Sequence, residues 1–559
     1  MRPKFTIFKK IRSLFSRRIH KKKKKRQSGA GGPYTDFKDI GQREADMKKM
    51  FLADDLDENL QRVTEISGNS YDLSIIRFLA GPDEIKAALI YIDGMINNDS
   101  ISNLLRIVKI DTFKTDIDGI DKTEIYETIK NRLLASENNE VRDLEGLFQG
   151  ISLGDAALLI DGTARAIVSE AKGWQVRALT EPEAETVLRG PREGFVESIR
   201  ASTAMIRRRI RSPNLWIESM TVGNLTRTEV AIAYIKGLAG EEILEELRSR
   251  LESIDIDGVL ESGTIEEFIQ DAPESPFPTI FRTERPDRVA ANILEGRVAI
   301  FTDGTPFVLV LPAALLMYLQ SPDDYSEVWP IGSFIRFLRM FSFLISIFLP
   351  GVYIAVLNYH PELLPTSLLL TIQQTEEGVP FPLVVELIIM ELAFEVLREA
   401  GIRLPKAIGS AMSIVGALIL GEAAFQAGIV SPGVVIIVAF TAIASFTSPS
   451  FSLAITARIL RFAVILLGAT LGLLGVQFAF LTLLIHVVSL RSFGIPYGAP
   501  FGPLIQHDLK DSVVRTHWWD MIHRPRLTGF HEPGRQPTGQ GPHTPGMDNR
   551  KPKKRGKGK

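Results

Sequence analysis

Residues 334–490 carry runs of apolar side chains long enough to cross a lipid bilayer, and this block constrains the fold more than any other feature. A hydrocarbon layer about 30 Å thick needs roughly 20 mostly apolar residues in a helix. Lipid also requires every backbone polar group to be satisfied within the protein. Five stretches fit: 340–357, with a kink expected at Pro350-Gly351; 384–401; 408–425; 434–457; and 462–490, broken by Gly468, Gly472 and Gly475. Between the first two, residues 358–383 read as a Pro-rich loop.

The stretch VVELIIMELAFEVLREAG, residues 384–401, is apolar yet carries four glutamates. At about 100° per residue, Glu391, Glu395, Arg398 and Glu399 share one side of a helix and Glu386 points largely away. A charge at the bilayer centre costs at least roughly 2.5–3.5 kcal/mol, so such residues face water, a partner or a substrate path. Three readings are open. The stripe lines an aqueous pore whose carboxylates favour cations; the helix lies flat among headgroups; or Arg398 pairs locally with Glu391 or Glu395. Glu391 and Glu395 are the pore-lining candidates, with Glu422 at the end of the next span. Gly409, Ser413, Ala417 and Gly421 recur at every fourth position, a stripe suited to close helix packing.

Basic residues gather at Arg336/Arg339, Arg398/Arg403/Lys406 and Arg458/Arg461, whereas 358–383 and 426–433 have none. The positive-inside rule then places the N-terminal region in the cytoplasm. Five crossings would leave the C-terminus outside. Either 462–490 is a re-entrant hairpin folding at 471–475, or the Glu-bearing helix does not fully cross.

The net charge of −1 hides an asymmetry. Residues 1–26 hold thirteen Lys/Arg and 551–559 hold six, with no acid in either; removing those nineteen from the chain's 65 leaves 46 basic residues against 66 acidic ones. Phe8, Ile11, Phe15 and Ile19 at helical spacing make the basic head either a helix on an anionic membrane surface or a solvated tail. Without cysteine, disulfides, Cys-based zinc sites and thiol nucleophiles are excluded. No phosphate-cradling loop, His-Glu-x-x-His motif or serine elbow occurs; no enzyme activity, cofactor, metal or nucleic-acid partner is expected.

The charged region before the apolar block repeats. AALIYIDGM, with Asp93, resembles VAIAYIKGL, with Lys236, and ALLIDGTARAIV around Asp161 resembles AIFTDGTPFVLV around Asp303. Two matches at almost one offset suggest two α/β units, roughly 71–165 and 213–307, in which an apolar run, Asp-Gly and a second apolar run read as strand–turn–strand. Arg207, Arg208, Arg209 and Arg211 form a cluster suited to gripping acidic surface on a neighbouring subunit, or a solvated face with internal ion pairs.

The strings EPEAETVLRGPREGFVESI (181–199), IRRRIRSPNL (206–215), RTEVAIAYIKG (227–237), FPTIFRTERPD (277–287) and LEGRVAIFTDGTPFVLVLP (294–312), followed by the apolar block, resemble the A subunit of the GerA-type spore germination receptors. The likeness covers about 50–505. It implies a multi-pass protein of the spore inner membrane acting with a permease-like B subunit and a lipoprotein C subunit. It also implies a homo-oligomeric, nutrient-gated channel releasing monovalent cations. Alternatives are an accessory germination protein of the same family, a transporter or a scaffold.

The expected fold is an α+β soluble N-terminal region of two repeated α/β subdomains followed by an α-helical multi-pass membrane domain. Its divisions are a basic tail at 1–44, subdomains at 45–170 and 171–320, a membrane domain of four to six helices at 334–495, and a Pro/Gly/basic tail at 496–559.

Overall fold

The computed structural model describes residues 46–80, 85–109, 122–133, 138–173, 181–182, 185–187, 189–403, 421–528 and 534–542. The basic head, the basic end from 543, and Gly409, Ser413 and Ala417 of the small-residue stripe lie outside the described residues.

The first unit opens with α1 (Leu56–Ser67), whose start is fixed by Asp55 accepting the Asp57 and Glu58 N–H groups and whose end is Gly68 at φ 66°. Then follow β1 (Leu73–Ala80), β2 (Ile85–Ile92), α2 (Asn98–Lys109), α3 (Lys122–Leu133), β3 (Asn138–Val141), α4 (Leu144–Ser152), β4 (Ala156–Ile160) and β5 (Ala166–Ser169). The sheet runs β1-β2-β4-β5-β3, every neighbour antiparallel. Its central strands are apolar on both faces because helices cover both: α1 and α4 pack on one, α2 and α3 on the other.

A second unit repeats all nine elements in order: α5 (Ile199–Arg209), β6 (Leu215–Val222), β7 (Thr228–Ile235), α6 (Glu241–Glu252), α7 (Ser262–Ile269), β8 (Phe281–Thr283), α8 (Pro286–Ile293), β9 (Val298–Thr302) and β10 (Val308–Leu311). Its sheet order, β6-β7-β9-β10-β8, is the same. The Asp-Gly turns do matching work. Gly162 at φ 84° and Gly304 at φ 88° turn β4 into β5 and β9 into β10. The Asp161 carboxylate accepts the Leu56 N–H at the start of α1 (3.3 Å), and Asp303 accepts Ile199 N–H at the start of α5 (3.1 Å). At Asp93-Gly94, by contrast, no second strand follows; Ile96 makes one bridge to Lys172 and the chain enters α2.

The helical block comprises α9 (Trp329–Tyr359), α10 (Thr366–Glu376), α11 (Leu383–Arg403), α12 (Pro432–Phe446) and α13 (Phe451–Ser489). Helices α9 and α13 are long and apolar enough to cross a membrane, each with an 18-residue stretch of mean hydropathy 2.2, and α12 is a shorter apolar helix. Two expectations are corrected. The span read as 434–457 stops at Phe446 and restarts at Phe451, because Pro449 lacks the N–H a continuing helix needs. The loop read at 358–383 contains α10.

Helix α13 is two legs. Gly472 has φ 63° and ψ −146°, values foreign to a helix. The hydroxyl of Thr456 donates to the Pro276 carbonyl, while His486 Nε2 lies 2.9 Å from Ser275 Oγ. Thirty residues of straight helix would put 456 and 486 about 45 Å apart, yet they meet consecutive residues of the second unit. The chain therefore reverses at Gly472, and both legs pack on α9. A Cβ on Gly468 would lie 2.5 Å from the Gly351 carbonyl, and Phe480 meets Phe348 at 5.7 Å between ring centres. Of the alternatives for 462–490, this is the hairpin.

Beyond α13 the chain returns to the second unit. Ser492 donates to the Thr279 carbonyl and accepts the Ala313 N–H, and residues 508–528 strap across it. Since the chain has no cysteine, Cys at 456 and 486 are expected to be joined by a bifunctional maleimide about 10 Å long, a reach set against the ~45 Å of a straight helix. Absence of that cross-link in folded protein would contradict the reversal.

Candidate functional site

Inside the helical block the charges are paired across helices. Glu391 on α11 meets Arg461 on α13 at 2.6 Å, and neither side chain is more than 1% exposed. Thr441 on α12 donates to Glu391 (3.4 Å), and Arg461 Nε donates to the Ser346 carbonyl on α9 (2.7 Å). One pair thus ties four helices. One turn along, Glu395 meets Arg458 at 2.6 Å, partly exposed. Glu386, on the other side of α11, accepts the Ser431 N–H (2.7 Å) where α12 begins.

These positions answer the expectations residue by residue. Glu391, expected to face a passage, is instead enclosed by its own chain. Arg398, which one of the three readings paired with Glu391 or Glu395, lies over the rings of Phe446 and Phe451 (5.5 and 5.7 Å), because arginines from α13 take both carboxylates. Glu422 is exposed and accepts a bond from Gln426 (2.9 Å). Among the described residues Gly421 meets only Val435, at an ordinary 3.6 Å from where a Cβ would stand. Tight approaches in the helical block include Gly351 on Gly468, Gly475 on the Leu467 carbonyl, and Gly433 under the Tyr353 hydroxyl.

The arginine cluster divides. Arg207, a candidate contact to another subunit, is buried between the two units, where its fork holds Asp72 (2.7 and 2.9 Å) and Ser70. Arg208 and Arg209 both turn to Glu193, and Arg211 is exposed. Arg285 of the FRTERPD string is wholly buried; it donates to Asp287 and to the Glu185 and Pro191 carbonyls, so two of the quoted strings are bonded together.

A second buried cluster sits where α9 leaves the second unit. Asp324, wholly buried, binds Arg336 and Arg339 at 3.1 Å each, and Arg336 also reaches Asp511 of the C-terminal strap at 2.9 Å. The Tyr325 hydroxyl donates to Asp511 (2.7 Å). Burial pushes the Asp511 carboxyl above the usual carboxylate range, against the pull of Arg336. Sequence reasoning took Arg336 and Arg339 as orientation signals and missed this cluster; the signal available was Asp323-Asp324, a few turns upstream.

Residues 61–527 match the family model described as Bacillus/Clostridium GerA spore germination protein. The chain belongs to the GerA family of spore germination proteins. The GerA match runs through both α/β units, the helical block and nearly the whole strap. Two relatives from Bacillus subtilis (strain 168) are Spore germination protein KA, 43% identical over 497 residues (89% of this chain, 90% of the relative), and Spore germination protein B1, 40% identical over 476 residues (85% and 98%). A crystal structure of the N-terminal domain of the A subunit of the Bacillus megaterium spore germinant receptor GerK3 is 36% identical. It covers 47% of this chain and 97% of that one, with a TM-score of 0.38.

Removing one partner of a buried pair strands the other charge, at about 3–5 kcal/mol, whereas replacing both by apolar residues is often neutral. Glu391→Leu and Arg461→Leu are each expected to lower the melting temperature of the detergent-solubilised protein sharply, and the double variant to recover most of the loss. Additive losses would show that the two do not depend on each other.

Proposed function

We propose that this GerA-family protein is the A-type subunit of a nutrient-responsive germination receptor in the spore inner membrane, and that copies of it assemble into a ligand-gated cation channel. The permease-like and lipoprotein partners implied by the family likeness complete the complex. The described helices α9, α11 and α12 and the two legs of α13 belong to a multi-pass domain with both α/β units on the cytoplasmic side. With α13 reversed at Gly472, its two legs return the chain to the side from which it entered, which removes the odd crossing left by a single pass through 462–490.

The observation that carries the conduction reading is α10. No residue of this helix is buried, and an isolated helix shorter than about 12–15 residues is marginal in water. Its surface offers Thr366, Ser367, Thr371, Gln373, Gln374 and Thr375, uncharged and polar, beside the exposed Leu368 and Leu370; the helix ends at Glu376 and Glu377 follows. Copies of α10 around a shared axis would supply one another's missing contacts and present hydroxyls, amides and a carboxylate ring to cations. Glu395 and Glu422 remain candidates for the vestibule. The enclosed Glu391 instead stabilises the frame. Arg211 is left as the exposed member of its cluster for a subunit contact.

The absence of cysteine permits a direct test. Single cysteines across 366–376, in protein reconstituted into liposomes, are expected to make cation flux sensitive to a cationic thiol reagent at positions along one helical face. Flux should rise without saturation. Insensitivity along the whole helix would reject α10 as the lining, and saturable substrate uptake would replace the channel by a carrier.

A further inference from the structure

The C-terminal strap closes a cavity of about 150 Å3 against the second α/β unit, room for on the order of ten waters or a ligand of similar size. Gly296 makes the closure possible: a Cβ there would lie 2.5 Å from the Thr528 carbonyl, so only glycine lets the strap come so near. The apolar part of the wall includes Leu316 and Met317, both buried. The polar part includes Glu295, Arg297, Thr516, Thr528 and Arg535, with Lys510 a further cation and Asp508, Asp511 and Asp520 further carboxylates, the last 3.6 Å from His517.

What distinguishes this wall is which of its groups are spent. Glu295 pairs with Arg297 and lies 3.9 Å from Arg535, so one carboxylate gathers both guanidinium groups. Asp511 is committed to Arg336 and Tyr325, and Asp508 to the Arg526 N–H. The donors are not exhausted. Arg297 is 8% exposed; its Nη1 donates to Asn292 and Glu295, yet its Nε has no partner among the described residues. The buried hydroxyls of Thr516 and Thr528 have none either. Buried polar groups in folded proteins are almost always partnered, and three open ones on a single cavity call for an occupant that accepts hydrogen bonds. An anion beside two arginines and an apolar wall is best matched by a carboxylate on a short hydrocarbon, because arginine holds a carboxylate with parallel N–H bonds.

We propose that this cavity binds a small carboxylate-bearing molecule, its oxygens taken by Arg297 Nε–H, the Arg535 guanidinium and the Thr516 and Thr528 hydroxyls, its carbon chain lying on Met317. The site is separate from α10 and does not depend on conduction. The strap that walls it also holds Arg336 at the foot of α9, so occupancy adds contacts to the segment that anchors the first long apolar helix.

Such a carboxylate could come from a simple organic acid or from an amino acid, and isovalerate and L-valine separate the two because they share a skeleton and differ in the α-ammonium. Calorimetric titration of the full chain in detergent is expected to detect at least one of them at about 10 mM, well above a weak Kd of ~1 mM. Equal binding of both identifies the carboxylate as sufficient. Binding of L-valine alone adds the ammonium, facing Glu295. In either case Arg535→Gln and Thr516→Val, at partly exposed positions and checked for unchanged unliganded melting, should each weaken the bound probe about tenfold. Binding by neither probe, or equal affinity in both variants, overturns the proposal.

Discussion

A charge inside an apolar helix bundle must be met there by its opposite, and the Glu391–Arg461 pair is where this molecule meets that requirement. The carboxylate comes from α11 and the guanidinium from α13, while α12 contributes a hydroxyl and α9 a carbonyl. Apolar side chains have little preference for one another over lipid. A buried pair that fails if either helix shifts therefore supplies register that hydrophobicity alone cannot. The Glu395–Arg458 pair repeats the arrangement one turn nearer the α/β units. What the bundle gains is a fixed arrangement of α9, α11, α12 and α13 from which α10 projects uncovered.

The α/β units are joined to this bundle by charge as well. Asp324 and Asp511 hold the foot of α9 through Arg336, and Arg207 holds the two units to each other through Asp72. Both ends of the α13 hairpin rest on residues 275–282 of the second unit, through His486 on Ser275, Thr456 on Pro276 and Arg282 on Ser452. A rearrangement of the second unit thus has a mechanical route into the helices, through these polar contacts and through an apolar core in which Phe277 and Phe281 share one cluster with Phe343, Leu453 and Val476.

The sequence made some of this readable and hid the rest for identifiable reasons. The duplication was visible because Asp161 and Asp303 each bind the start of their unit's first helix, so both the turn and its spacing are retained in both copies. The glutamate stripe was visible, but its partners were not: Arg458 and Arg461 lie some sixty to seventy residues further on, and only the folded bundle brings them close. Gly472 hinted at a reversal, yet contacts with residues 275–276 decide it. Helix α10 was hidden by prolines on both sides that read as loop. The strap was hidden by a composition of Pro, Gly and His that cannot form a core of its own, though it can complete one supplied by the second unit.

The most direct trial of this account is a cryo-electron microscopy structure of the assembled receptor complex in lipid nanodiscs. The account predicts several copies of the chain around one axis, with α10 from each facing a continuous opening and Glu391 still on Arg461 away from it. An assembly with α10 buried against lipid, or with Glu391 released from Arg461 to face the axis, would contradict it.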